Sequence, residues 1–179
     1  MLKPWRLQYA SGLFADQGWR RAATALQPGA APYLALLGNC GSVATVAQAK
    51  QTQEFLRSCS SSWNKVFWVL GPHEFSANLK TNEVYTAVED RIRDIAGRFK
   101  NVYILNQGEH QTCDSVVLLG ATGWSDAKAT IQAGVTLAGA YGTVFVIPKA
   151  FGTPVTTLST ALSIQFIPVC GTGFKSHLS

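Results

Sequence analysis

The sequence predicts an α/β fold, with helices layered on a mostly parallel or mixed sheet. Short, nearly all-apolar runs such as Tyr33 to Leu37 and Val66 to Leu70 read as strands buried on both faces. They alternate with helical patterns, and the stripe Val84, Val88, Ile92, Ile95 and Phe99 lies on one face of a 3.6-residue period. Several strands end in a glycine (Gly12, Gly38, Gly71, Gly120 and Gly171) followed by a short loop. In open α/β sheets, the carboxyl ends of strands are where sites are built.

Taken in order, Arg6 to Ser11 reads as a short strand, and Trp19 to Leu26 as a helix stopped by Gln27-Pro28-Gly29. Tyr33 to Leu37 is a buried strand. Val43 to Cys59 follows as a helix closed by a Ser60-Ser61-Ser62 turn. Val66 to Leu70 is the next strand, and the Val84 to Phe99 stripe the next helix. Val102 to Leu105 and Ser115 to Leu119 are strands, with His110 in the turn between them. Asp126 to Gly142 is rich in small residues and fits neither period. Val144 to Ile147 reads as a strand, Val155 to Leu162 as a helix, and Ile164 to Val169 as a last strand. With no linker and no internal repeat, residues 1–179 are expected to form one domain.

The chain is 47% hydrophobic and 14% charged, where ordinary globular proteins carry about 25% charged residues. This excludes intrinsic disorder. It points either to a covered apolar surface with Trp5, Trp19, Trp63 and Trp68 as contact aromatics, or to a well-packed domain with a Ser/Thr/Gln surface. The net charge of +5 is scattered. The one dense basic stretch (Arg91, Arg93, Arg98, Lys100) shares its helix with Glu89, Asp90 and Asp94, as a solvated face would. Cys40, Cys59, Cys113 and Cys170 have neither zinc nor disulfide spacing, so reduced thiols are expected. No apolar run reaches the roughly 18 residues a membrane span needs. With a first strand expected to begin by Arg6, no secretory signal is expected, while the first few residues leave space for a very short organellar presequence.

The segment Val69-Leu70-Gly71-Pro72-His73-Glu74-Phe75 resembles the Gly-Asn-His-Glu signature of calcineurin-like metallophosphoesterases. The stretch Asn101 to Ser125, with its Leu-Gly-Ala-Thr-x-Trp run, resembles the region C-terminal to that signature in one branch of the superfamily. The resemblance implies a layered metallophosphoesterase-like fold, with mixed sheets flanked by helices and a shortened segment after Trp124. It also implies a chemistry in which two metals, held by Asp, His and Asn at strand ends, bridge a hydroxide. Two adjacent divalent cations need many anionic and imidazole ligands to offset their repulsion.

Carried over residue by residue, that ligand set is missing. Asp-x-His at the first strand end reads Gly12-Leu13-Phe14, and Gly-Asp reads Gly38-Asn39. In the signature itself Pro72 replaces the Asn, which leaves His73 and Glu74. The match for the later His is Pro148, and Gly-His-x-His matches Gly171-Thr172-Gly173-Phe174, placing Thr172 and Phe174 where imidazoles would stand. The three histidines, His73, His110 and His177, cannot supply a binuclear site in any alignment. No cofactor is therefore expected. His73 is expected to be a hydrogen-bonded loop residue beside Glu74.

The expectation is a catalytically inactive domain acting as a structural or accessory subunit. Its partners would be other subunits of a larger assembly, inside the cell, with mitochondria favoured over cytosol on the basic pI of about 9.2. The alternatives are residual phosphoesterase activity with one metal at His73 and Asn39, and a basic RNA- or ribosome-associated protein. Nucleic acid is the less favoured partner.

Overall fold

The computed structural model describes residues 5–75, 85–106, 110–113, 116–124, 140–148 and 162–165. Two four-stranded sheets organise them. The first is parallel, in the order β1 (Leu7–Ala10), β2 (Tyr33–Leu37), β3 (Lys65–Val69), β4 (Val102–Ile104). Parallel neighbours need crossover connections. These are supplied by a 3-10 turn (Ala15–Gln17) with α1 (Trp19–Thr24), then α2 (Val46–Ser62), then α3 (Tyr85–Ala96). The second sheet is antiparallel: β5 (His110–Cys113), β6 (Val116–Trp124), β7 (Ala140–Pro148), β8 (Leu162–Gln165). The fold is thus mixed α/β, with a parallel four-stranded sheet flanked by helices.

Side-chain alternation explains why β2 and β3 carry almost no polar residues. Leu34, Leu36, Val66 and Trp68 pack with Phe55 and Leu56 of α2 and Val88 and Ile92 of α3. Tyr33, Ala35, Leu37, Phe67 and Val69 face the other way and meet Leu105, Val116 and Leu118. A strand buried on both faces cannot show a period of two, so it appears in the sequence as a continuous apolar run. Each such large side chain contributes about 2 kcal/mol by leaving water. The low charge of the chain therefore has a use inside it, in two apolar seams. Trp63 and Trp68, expected as contact aromatics, are core residues at 4% and 1% exposure. Trp5 and Trp19 are half-buried.

Several boundaries moved, each for a local reason. The helix expected from Val43 starts at Val46 because Thr45 caps it, accepting a bond from the Gln48 amide at 3.2 Å. It then runs through Ser60, Ser61 and Ser62 instead of turning there. Ser61 Oγ donates back to the Arg57 carbonyl one turn earlier, a bond made within the helix, and Ser60 Oγ donates to Asn101 Oδ1 outside it. His110, placed in a turn by the sequence, opens β5, where it is paired opposite Leu119. Strands β6 and β7 outrun their apolar cores, Val116–Leu119 and Val144–Ile147, because each supplies the other's hydrogen bonds from Gly120↔Val144 to Trp124↔Ala140.

Gly120 consequently lies inside β6 and not at a strand end. A side chain there would collide with Leu105 and come within 2.9 Å of Val69 Cγ2, so glycine lets the two sheets approach. Leu162, expected in a helix, belongs to β8. The remainder of that helix (155–161), residues 166–169 of the last strand, Val84 and Gly171 lie outside the described residues.

Candidate functional site

The parallel sheet brings three loops together at the carboxyl ends of β1, β2 and β3. They interlock through the backbone. Gly12 N donates to Gly38 O at 3.2 Å, Phe14 N to Asn39 O at 3.0 Å, and Ala15 N to Cys40 O at 2.8 Å. These bonds hold Phe14 at φ 47° and Asn39 at φ 54°. Asparagine tolerates that region, whereas for phenylalanine it costs about 1–2 kcal/mol. Gly71 allows the third loop to close in, since a Cβ on it would stand 2.8 Å from Gly38 Cα.

Glu74 sits at the centre, fully buried, in the helical segment 72–75. Its Oε2 accepts from the amides of Asn39 and Gly71, each at 2.8 Å. Its Oε1 accepts from Cys40 at 2.6 Å and Gly41 at 3.1 Å. One carboxylate thus gathers four backbone N–H groups from two loops. Burial pushes the Glu74 carboxyl above its ordinary value, against the opposing pull of those four amides. The same burial, with Glu74 beside it, raises the Cys40 thiol well above the usual cysteine range. Cys59, behind it in α2, is pushed up to about 12 by burial. Both are free thiols.

His73 is hydrogen-bonded, as expected. Successive residues of a helical turn diverge by about 100°, so as Glu74 enters the loops His73 turns to Asp16, with Nε2 and Oδ1 2.8 Å apart. Gln48 Nε2 donates to the other Asp16 oxygen at 3.1 Å. The Asp16 side chain has no exposed surface and that of His73 is 19% exposed. The Phe14 ring meets the His73 ring edge-on at 4.8 Å. Asn39 Oδ1 accepts from the His73 amide at 3.0 Å.

Gly12, Phe14, Asn39, Pro72, His73 and Glu74 are therefore all brought together, as their spacing on successive strand ends implied. Pro148 is not among them. Thr122 of β6 donates to the Leu70 carbonyl at 2.9 Å, which fixes that end of the second sheet beside the loops. Thr122 pairs with Gly142, whereas Pro148 pairs with Val116 six positions along the ladder, on the order of 20 Å away. Thr172 and Phe174 lie outside the described residues.

Asp16 is the partner that motif reading did not assign. The sequence held a signal, because it is the only acidic residue before Glu54 and it falls at a strand end. Among the described residues, no group of three or more His, Cys, Asp or Glu side chains is placed to hold a metal ion. None of the helices described is long and apolar enough to cross a membrane.

No protein-family model matches the chain, and no solved structure matches it. It is similar to an uncharacterized protein of Acanthamoeba polyphaga mimivirus, with 29% identity over 97 residues. That stretch covers 52% of this chain and 32% of the viral protein, so the match spans about a third of the relative's length.

Proposed function

We propose that this chain is a catalytically inactive, metallophosphoesterase-like domain that serves as a structural or accessory subunit of a larger protein complex. The observation that supports this reading best is the way the strand-end loops use their polar groups on one another. Glu74 is occupied by four amides, Asp16 by His73 and Gln48, and Asn39 Oδ1 by a backbone N–H. A Phe14 ring stands where the resemblance would put an imidazole. Two divalent cations at one site would need several anionic ligands facing an open space, and this cluster directs its carboxylates inward.

The test has two parts. Purified protein is analysed for Mn, Fe and Zn and assayed with a chromogenic phosphodiester. The expected result is substoichiometric metal and no turnover, and stoichiometric metal with turnover would overturn inactivity. The endogenous protein is then sized under native conditions in mitochondrial and cytosolic fractions. Co-migration with a large complex in mitochondria is expected, on the strength of the basic pI. A free monomer would sink the subunit role.

A further inference from the structure

Away from the strand-end cluster, helices α1 and α2 carry an excess of cations. Helices α1 and α2 together carry Arg20, Arg21, Lys50 and Arg57 against a single carboxylate, Glu54. Glu54 is already bridged to Arg57 at 3.3 Å. Asp16, the other carboxylate nearby, is buried under His73 and Gln48. Among the described residues, Arg20 and Arg21 have no ion-pair partner.

These two arginines line a shallow surface depression of about 150 Å³ with Gly18, Trp19 and Gln51. The Arg20 guanidinium lies 5.0 Å above the Trp19 ring, which holds it along the surface. Gln51 Oε1 accepts from the Trp19 amide at 3.3 Å, so its acceptor is used and its NH2 is left as a donor. The depression therefore offers donors and positive charge around a half-buried indole, and its complement is an acceptor-only oxyanion. The forked guanidinium suits carboxylates in two-point contacts. Tryptophan and arginine are also the residues that anchor protein interfaces.

We infer that the Trp19–Arg20–Arg21–Gln51 surface docks an acidic, Asp/Glu-bearing segment of a partner protein. Successive helical residues diverge, but Arg20 and Arg21 both border this one small depression, which fits a local carboxylate contact better than a nucleic acid, which requires cations spaced along successive phosphates. The inference rests on the subunit reading only for the source of that segment.

The test uses a fluorescein-labelled oligoglutamate peptide and a labelled oligouridylate of equal charge, titrated by anisotropy from low to moderate salt. Three proteins are compared: the wild type, R20E/R21E, and R98E/K100E as a control of equal net charge. Thermal melts verify that all three are folded. The peptide is expected to bind the wild type and the control, and to bind R20E/R21E about tenfold or more weakly. Absence of peptide binding, equal loss in the control, or tighter binding of the RNA would overturn the inference. Metal content and phosphodiester turnover, measured on the same wild-type sample, report on inactivity separately.

Discussion

Between the two sheets, Phe67, Val69, Leu105 and Leu118 exclude water with aliphatic and aromatic surface. At the carboxyl ends of β1, β2 and β3, water is excluded as thoroughly, but around Glu74, Asp16 and a set of backbone amides. The first region is held by contact area, which is non-directional and tolerates exchange of similar shapes. The second is held by donors and acceptors in fixed positions, where one missing partner leaves a buried group unsatisfied. Buried regions of one chain can therefore differ sharply in which substitutions they accept.

The largest effects should separate the two. Phe67→Ala removes a fully buried ring and is expected to cost about 3–5 kcal/mol in urea unfolding, with Phe67→Leu recovering most of it. Glu74→Gln is expected to cost about 3 kcal/mol, because its NH2 faces two backbone donors. Here the conservative change should fail, since Glu74→Asp shortens the side chain and cannot reach all four amides. If Asp rescued position 74 as well as Leu rescues position 67, the contrast would be broken.

An intermediate effect is expected at the rim of the loop cluster. His73→Ala leaves the buried Asp16 carboxylate with Gln48 alone and should lower the unfolding free energy by about 1–3 kcal/mol. Asp16→Asn keeps the shape and should cost less. Equal stability of His73→Ala and the wild type would mean that the Asp16–His73 pair does not hold the loops.

Acidity sharpens the comparison further, because the loop region buries the Glu74 carboxyl. The carboxyl of Glu74 binds its proton more tightly in the folded chain than in the unfolded one, owing to burial. Its contribution to stability is complete below the ordinary carboxylate range and is lost as pH rises through the elevated folded value. The unfolding free energy of the wild type minus that of Glu74→Gln should therefore fall as pH is raised through that window. A difference that stays flat would contradict the shift. The smallest expected signal is chemical. With the Cys59 thiol pushed up to about 12 and that of Cys40 also raised, neither should react with iodoacetamide in the native state near neutral pH. Peptide mass spectrometry should find both alkylated only after denaturation.

Most of the parallel sheet was legible from local apolar pattern alone. Tyr33 to Leu37 matches β2 residue for residue, and Val88, Ile92 and Ile95 are the buried face of α3. Such elements announce themselves because double burial and helical packing leave a local hydrophobic period. The antiparallel sheet was less legible. His110 in β5 and Gly120 in β6 carry no strand signal of their own, and their strand identity comes from partners distant in sequence. The spacing of the site loops was also readable, with glycines after β1, β2 and β3, and so were the residue types that stand there.

By itself, then, the sequence determined the α/β class, the core strands and helices, and which residue types stand at the strand ends, because these depend on local pattern and identity. Tertiary structure decided how those residues are used. It turned Trp63 and Trp68 into core, set Pro148 far from the loops, and gave Glu74 to four amides while pairing His73 with Asp16. The physical reason is that hydrogen-bond partnership depends on position in space, and residues 57 apart in the chain, such as Asp16 and His73, meet only once the sheet has aligned their strands.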